Sequence, residues 1–343
     1  MSSYELTRRE RSVFNSLVRN FVNSAMPVAS NILAKEVVEN VSPATIRNVL
    51  MNLEKKGLVE QPHISAGRIP TDIGYRYYVN DLMKFEELTA SEKNKIDTDL
   101  RHVYNENVET ILHKACDVLS EISNQLGVVL SPKFYQGIFR KLELVRLSEN
   151  KLLLVISISS GIVKTIIMEV KSRIQDHKIE QTERIINEKL AGLTLREIRD
   201  SIKKRMTDVS VGDKKLINSL TDAANEIFSA DNDNIHFNGT SNIVVQPEFT
   251  DKDRLAKIFT LIDHQEVLLH ILKSSTKMNK EISITIGKEH QEELIRNCSL
   301  ISTTYKMGDI TGTLAVIGPT RMKYGKITSI VDYIAKGINR LFS

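Results

Sequence analysis

The segment from Ser42 to Gly57 constrains the fold of this chain more than any other part of the sequence. Ser42 is a residue type that caps helix starts, and Pro43 suits the first helical position, where its missing N–H is not needed. Gly57 suits the left-handed conformation that ends many helices. The apolar residues between them repeat at helical spacing: Ile46, Val49, Leu50 and Leu53. The segment therefore predicts a short helix with one apolar face and one polar face.

Two further helices are predicted ahead of this segment. Thr7 and Glu10 form a capping-box pattern, in which each side chain satisfies a free backbone N–H at a helix start. Ser30 is a second cap, and the turn at 39–41 separates its helix from the one at Ser42. Two short helices behind a longer one are the parts of a helix-turn-helix. With the strand-like residues 58–61 and a Gly/Pro-containing loop, this pattern predicts a winged helix-turn-helix domain over residues 1–85.

The polar face of the helix after Ser42 carries residue types that suit DNA. Small residues near the helix start let the backbone approach a duplex, arginine pairs with guanine or phosphate, and asparagine addresses adenine. The predicted contact residues of this helix are Ser42, Ala44, Thr45, Arg47, Asn48 and Asn52. Those of the wing loop are His63, Ser65, Gly67, Arg68 and Thr71, with Arg68 as a minor-groove or phosphate ligand. A merely solvated helix face is the alternative, and the helix-turn-helix context favours DNA.

The remainder of the chain predicts a mixed α+β region. Residues 86–103 are polar with scattered leucines and are expected to be a linker or a helical connector, and a long amphipathic helix follows through Leu126. Strands cluster at 142–168 and again at 282–317, with mostly helical residues between them and a short strand pair around Asn238 and Gly239. A single sheet interrupted by an inserted domain accounts for this order. The expected ranges are 104–170 and 276–343 for the sheet domain and 171–275 for the insert.

Several classes of function are excluded on motif spacing. No apolar run approaches the about 20 residues of a membrane helix, and the charged amino-terminal residues do not resemble a signal peptide, so we expect a cytoplasmic protein. A phosphate-binding loop is absent, and His264 and His270 are six residues apart, whereas two metal ligands on one helix face are four apart. Cys116 and Cys298 are too few for a zinc site. We therefore predict no catalytic residue, no metal and no cofactor.

Longer motifs resemble a known family. They are Ala44-Thr45-Ile46-Arg47-Asn48, then Gln61-Pro62-His63 and Ser65-Ala66-Gly67-Arg68-Ile69-Pro70-Thr71, then Gly74-Tyr75-Arg76, Gln246-Pro247-Glu248-Phe249 and Gly318-Pro319-Thr320-Arg321-Met322. Together they resemble HrcA, the heat-inducible transcription repressor family, over essentially the whole chain. Four positions depart from the expected pattern: Ala29 and Ala315 for glycine, Val49 for glutamate, and Ile64 for threonine. Only Ile64 lies in the wing, where it affects the expected contacts.

The resemblance implies an α+β multidomain fold with three parts: a winged helix-turn-helix, a GAF-like antiparallel α/β domain, and a dimerisation domain inserted into it. It also implies a homodimer that binds an inverted-repeat operator in double-stranded DNA, the CIRCE element, and represses chaperone operons. A GroEL-type chaperonin is implied as the partner that keeps the repressor competent. We expect residues 171–275 to supply most of the dimer contact.

Two rival functions remain open at this point. One is a metabolite-sensing winged-helix regulator that binds its ligand in the GAF-like domain. The other is an enzyme with a DNA-binding appendage. The segment Gly318 to Met322 is relevant to the first, and we interpret it as a tight turn in which Arg321 braces a domain interface rather than as a ligand site.

Overall fold

The computed structural model describes residues 5–36, 41–64, 66–170, 173–228, 234–276 and 281–342. The helices are α1 (Arg8–Ser24), α2 (Ser30–Glu36), α3 (Pro43–Lys55), α4 (Asp72–Tyr77), α5 (Ala90–His102), α6 (Val108–Ser123), α7 (Asp176–Leu190), α8 (Leu195–Arg205), α9 (Lys214–Asp222), α10 (Ala224–Ile227), α11 (Thr240–Val244), α12 (Lys252–Asp263), α13 (Gln265–Thr276) and α14 (Tyr324–Leu341). The strands are β1 (Val59–Glu60), β2 (Ile69–Pro70), β3 (Leu126–Leu130), β4 (Phe139–Ser148), β5 (Lys151–Ile158), β6 (Val163–Glu169), β7 (Ile235–Asn238), β8 (Ile282–Ile286), β9 (Cys298–Met307) and β10 (Ile310–Pro319). The expected combination of many helices with antiparallel sheets is confirmed.

The amino-terminal unit, residues 5–85, packs α1, α2 and α3 against the two-stranded antiparallel sheet β1–β2. The predicted capping box at the start of α1 is present, since Thr7 and Glu10 each accept the other's backbone N–H. The apolar face of α3 is buried as predicted and packs on α1 through residues that include Ile46 and Leu53. Gly57 has a φ of 71°, in the left-handed region that glycine favours, and the chain turns there into β1.

The body of the protein is built on a five-stranded antiparallel sheet with the order β7-β3-β10-β9-β8. Helices α6 and α14 pack on one face of this sheet. The opposite face carries Leu126, Leu300 and Ile317, and these pack with residues of α11, α12 and α13 in a separate core. Two layers of helices therefore enclose the sheet, which explains why β3 is buried along its whole length and β10 at every residue except Thr311.

A second unit, the insert, occupies the chain between β3 and β7. Its strands β4, β5 and β6 form a three-stranded antiparallel sheet of their own, and α7 to α10 complete the unit. Alternate residues of β5 from Leu152 to Ile158 are buried. Asn187 of α7 holds the edge strand, because its side-chain amide accepts the N–H of Leu142 and donates to the carbonyl oxygen of Leu142.

This topology corrects the expectation of a single sheet. The strands at 142–168 pair only with one another among the described residues. Strands β8, β9 and β10 share their sheet with β3, which pairs with β10, and with β7, which pairs with β3. Strand β3 could not be recognised from the sequence, because Leu126 continues the helical spacing of the apolar residues in α6. The helix nevertheless ends at Ser123, since Asn124 adopts a left-handed φ of 57° and reverses the chain.

One smaller expectation also needs correction. Residues 243–245 do not form a strand, since Gly239, with a φ of 93°, starts helix α11 and β7 pairs with β3 instead. Residues 86–103, expected to be a linker or a helical connector, contain helix α5, whose Ile96 and Leu100 are buried. In the described parts of the chain, no helix combines the length and the apolar character needed to cross a membrane.

Candidate nucleic-acid interface

The outer face of α3 is the helix surface that the sequence predicts to contact DNA, and it is exposed. Its burial alternates with helical spacing, because Ile46, Val49, Leu50 and Leu53 anchor the opposite face in the core. The residues of the outer face that are exposed are Ala44, Arg47, Asn48, Met51 and Asn52. Thr45 is half-buried beside them. The structure therefore brings these predicted contact residues together on one side of one helix.

Ser42 has a different role from its neighbours on α3. Its hydroxyl oxygen accepts the backbone N–H of Thr45 over 3.2 Å and lies 3.0 Å from the Thr45 hydroxyl. This is the helix-cap interaction that its sequence position predicts. Ser42 therefore fixes the start of α3 and keeps Thr45 in place.

The polar side chains in the middle of the face are not engaged by the protein. Arg47, Asn48 and Asn52 make no side-chain hydrogen bond or ion pair with any residue that the structure describes. Their donors and acceptors are thus available to an external partner. A guanidinium and two amides on consecutive helical turns have the hydrogen-bonding capacity that base edges and phosphates require.

The loop between β1 and β2 is closed by a residue that sequence analysis did not single out. The side-chain amide of Gln61 donates to the carbonyl oxygens of Ile64 and Ala66, over 2.8 and 2.9 Å. Gln61 therefore shapes the loop tip, at which His63 is exposed and Ile64 is fully exposed. Ser65 lies outside the described residues. Because a glutamine closing a loop through backbone carbonyls leaves no periodic pattern, sequence inspection could not identify this role.

Arg68 faces inward rather than outward. Its guanidinium forms an ion pair with Glu54 of α3 at 2.9 Å, and its side chain is 16% exposed. Its backbone exchanges two hydrogen bonds of 2.9 Å with Val28. Arg68 thus joins the base of the loop to α3 and to the segment that precedes α2, and it is not a free cation at the loop tip.

Gly67 and Thr71 are also positioning residues of the loop. A Cβ atom on Gly67 would lie 2.3 Å from the carbonyl oxygen of Val28, so only glycine permits the close approach. The Thr71 hydroxyl donates to the carbonyl oxygen of Gly57 over 2.6 Å and accepts the N–H of Gly74. Of the predicted loop residues that the structure describes, His63 alone is exposed, and its side chain makes no such contact with a described residue.

Several contacts join the amino-terminal unit to the body. Arg76 of α4 binds the Glu289 carboxylate and donates to the carbonyl oxygen of Ile284 over 2.6 Å. Asp72 accepts the backbone N–H of Lys288 over 3.0 Å. These contacts lie at both ends of α4 and give the amino-terminal unit a defined position relative to the body.

Arg321 forms the largest of these junctions, and its predicted bracing role is confirmed. Its guanidinium donates to the carbonyl oxygen of Val22 over 2.6 Å, to Glu248 at 2.5 Å and to the Gln246 side chain at 3.1 Å. Nearby, the rings of Tyr75 and Tyr324 lie 5.7 Å apart. Burial raises the pKa of both phenols, so both remain neutral at physiological pH.

The described residues contain no site of metal or thiol chemistry. No cluster of three His, Cys, Asp or Glu side chains is placed to hold a metal ion in the described parts of the chain. Cys116 and Cys298 are buried free thiols, and burial raises the pKa of each to about 12. Both are therefore protonated at neutral pH and act as apolar core residues.

Comparisons with known proteins give a consistent result over the whole chain. Residues 109–328 match the family model for the HrcA protein C terminal domain. A protein of Prosthecochloris aestuarii described as heat-inducible transcription repressor HrcA is 36% identical, over 100% of this chain and 99% of the relative. A protein of Chlorobium phaeovibrioides with the same description is 37% identical over 98% of this chain and 98% of the relative. One of Chlorobaculum tepidum is 36% identical over 100% of this chain and 99% of the relative.

The comparison with solved structures concerns the fold alone. The crystal structure of a hypothetical protein aligns with 98% of this chain and 99% of its own length, with a TM-score of 0.62 and 21% sequence identity. The order and packing of the elements are therefore shared with a known structure.

Proposed function

This chain belongs to the HrcA family of heat-inducible transcription repressors, and from that premise we propose that it binds an inverted-repeat operator as a dimer and represses chaperone operons. The observation that carries the proposal is the outer face of α3, where Arg47, Asn48 and Asn52 are exposed without a protein partner among the described residues. Transcription repressors are not a class of enzyme, and we assign no catalytic residue. The proposed site of action is the cytoplasm, where bacterial DNA is accessible.

We assign the amino-terminal unit as a winged helix-turn-helix. In this assignment α2 and α3 are the two helices of the motif, α3 enters the major groove, and the β1–β2 loop is the wing. The short, capped α3 with a buried apolar face supports the assignment, because it presents one polar face rigidly. The loop closed by Gln61 supports the wing.

The residues of the interface take distinct roles in this proposal. Arg47 pairs with a guanine or a phosphate, Asn48 with an adenine, and Ala44 permits close approach of the helix start. Thr45 and Asn52 extend the contact along the helix. At the wing, His63 and Ser65 contact the DNA, whereas Arg68, Gly67 and Thr71 position the loop. Ser42 positions α3 through its cap and presents the helix start to a phosphate.

We propose that the insert, and not the helices at 171–275 alone, forms the dimer. The face of the β4–β6 sheet that points away from α7, here called the aliphatic face, exposes Val145, Leu147, Val163 and Ile167 by 46 to 61% beside two ion pairs, Lys141–Glu143 and Lys151–Glu169. An antiparallel sheet with apolar residues on both faces requires a cover over the second face. A second copy of this chain is the proposed cover, because an inverted repeat is read by a two-fold dimer.

The domain boundaries follow from this assignment. We place the insert between the end of β3 and the start of β7, and the GAF-like domain on either side of it, in the five-stranded sheet with α6 and α14. The separate hydrogen bonding of the two sheets supports these boundaries over the expected limit at residue 171.

The proposed role of a GroEL-type chaperonin is to return the repressor to its DNA-binding form after heat damage. Chaperonins bind exposed apolar surface, and the aliphatic face of the insert supplies such a surface on any monomer. Damaged proteins that occupy the chaperonin would then leave the repressor inactive. Operator binding after heating and recovery, with and without added chaperonin, tests this part: equal recovery in both samples contradicts it.

The experiment that tests the operator proposal is a gel-shift titration of the full chain at fixed salt. Three duplexes are compared: a CIRCE-type inverted repeat, the same duplex with one half-site scrambled, and a fully scrambled duplex. The proposal predicts a preference for the intact repeat of about 10³-fold or more over the scrambled duplex. Equal affinity for the three duplexes contradicts it.

A further inference from the structure

A cleft of about 790 Å³ lies at the seam between the insert and the body. One wall is the turn between β5 and β6, including Ser160 and Ile162, and the other is built from the start of α6 and the end of α14. The turn packs closely on the body. A Cβ atom added to Gly308 of the body would lie only 2.4 Å from the Cβ of Ser160. The volume lies within the range of about 300–1,000 Å³ that small-molecule sites occupy.

The lining of the cleft is mainly apolar. Phe134 is buried, and Ile162, Leu341 and Phe342 are half-buried around it. An apolar lining with a few polar groups is typical of sites for organic ligands. A compact inorganic ion has no apolar part that could pack against these walls.

The cations of the cleft are more enclosed than its acids. Lys133 and Lys164 are half-buried, and the ammonium of Lys164 lies 5.8 Å from the centre of the Phe134 ring. Lys133 has no ion-pair partner within the described ranges. The acidic residues Glu106 and Glu109 are exposed at the rim, where water screens their charge. Lys133, without an ion-pair partner among the described residues, therefore favours a negatively charged group in the enclosed part of the cleft.

Ser160 supplies a polar group for the same ligand. Its hydroxyl oxygen is buried and has no hydrogen-bond partner among the residues that the structure describes. A buried hydroxyl without a partner carries a free-energy cost, which a ligand oxygen removes by accepting or donating the missing bond. The hydroxyl and the two lysines thus belong to one lining.

We propose that this cleft is a binding site for a free organic anion with an apolar tail, of the type of a medium-chain carboxylate. The carboxylate binds at Lys133 beside Ser160, and the tail packs on Phe134 and the end of α14. Because its two walls belong to the insert and the body, the bound anion stabilises their relative position. The proposal does not depend on operator binding.

Isothermal titration of the full chain with sodium decanoate, below its micelle concentration, tests the proposal. Decan-1-ol and decyltrimethylammonium bromide have similar tails with no charge and with the opposite charge. We expect saturable binding of one decanoate per chain, and at least tenfold weaker binding of the other two compounds. Absence of saturable decanoate binding, or equal binding of all three compounds, overturns the proposal.

Variants locate the binding site. Lys133→Gln is expected to weaken decanoate binding about tenfold, and Ser160→Ala about three- to tenfold. Lys252→Gln removes an equal charge from exposed helix α12 and is expected to leave the affinity unchanged. Lys133→Met, which keeps the apolar stem, replaces the first variant if that variant does not fold. Unchanged decanoate affinity in both the Lys133 and the Ser160 variants contradicts the proposed site. Binding of the protein to phosphatidylglycerol vesicles without binding of free decanoate also contradicts the proposal.

Discussion

The guanidinium of Arg321 donates a hydrogen bond of 2.6 Å to the carbonyl oxygen of Val22 and so joins the body of the protein to the last turns of α1. The same guanidinium forms an ion pair with Glu248, and the two side chains are only 11% and 19% exposed. Because α1 packs on α3, this junction sets the position of α3 relative to the body. The spacing of two copies of α3 in a dimer therefore depends on contacts far from the DNA.

Removing the Arg321 junction is expected to destabilise the protein and weaken operator binding. Arg321→Met leaves the Glu248 carboxylate largely buried without its partner, which costs about 3 kcal/mol in the free energy of unfolding. Lys336→Met is the matched control, because its ion pair with Asp332 is exposed and contributes at most about 1 kcal/mol. Chemical denaturation and gel-shift titration measure the two effects. Equal stability of both variants contradicts the prediction.

Arg47 is expected to be a direct DNA contact. Arg47→Ala should reduce operator affinity by about 1–3 kcal/mol with little change in stability, since its exposed side chain makes no hydrogen bond or ion pair with a described residue. Arg173→Ala, which removes an exposed arginine of the insert, should have no effect on affinity. Titration at one fixed salt concentration compares the variants. Unchanged affinity of Arg47→Ala removes this residue from the interface.

The aliphatic face of the insert is expected to hold the dimer together. Ile167→Lys places a charge on a residue that is 61% exposed in the single chain, so the monomer should fold while the dimer dissociates. Val245→Lys, at a residue of the body that is 78% exposed, is the control. Sedimentation velocity measures the oligomeric state. A dimer that survives Ile167→Lys at low protein concentration shows that the contact lies elsewhere.

Stability is expected to fall at mildly acidic pH because of His290. Burial of its imidazole disfavours the charged form and lowers the pKa to about 4 from the usual 6.5. The unfolded chain therefore binds a proton first as the pH falls from 6.5 to 4, and stability is lost over this window at up to about 1.4 kcal/mol per pH unit. His290→Phe should flatten this dependence in denaturation curves, whereas exposed His102→Gln should retain it. Equal slopes in the two variants contradict the prediction.

Local signals in the sequence predicted α3 well. Ser42, Pro43 and Gly57 act within a few residues of their own position, and the four apolar residues of α3 report one buried face. The alternation at Ile282, Ile284 and Ile286 predicted β8 for the same reason, since strand periodicity is local.

Contacts between distant residues were not predictable in this way. Strand β3 continues the apolar spacing of α6, and only the left-handed Asn124 separates the two elements. Which strands share a sheet depends on partners more than 100 residues apart, as with β3 and β7. The inward orientation of Arg68 depends on Glu54, a partner that spacing alone does not identify.

Selection of binding sites from a pool of random duplexes is the most direct test of the central claim. The full-length dimer should enrich duplexes that carry two copies of one half-site in inverted orientation at a fixed spacing, and Arg47→Ala should change the preferred base at one symmetric pair of positions. Recovery of a pool no different from the starting mixture, or of single sites without a symmetric partner, contradicts the claim that paired α3 helices recognise the operator.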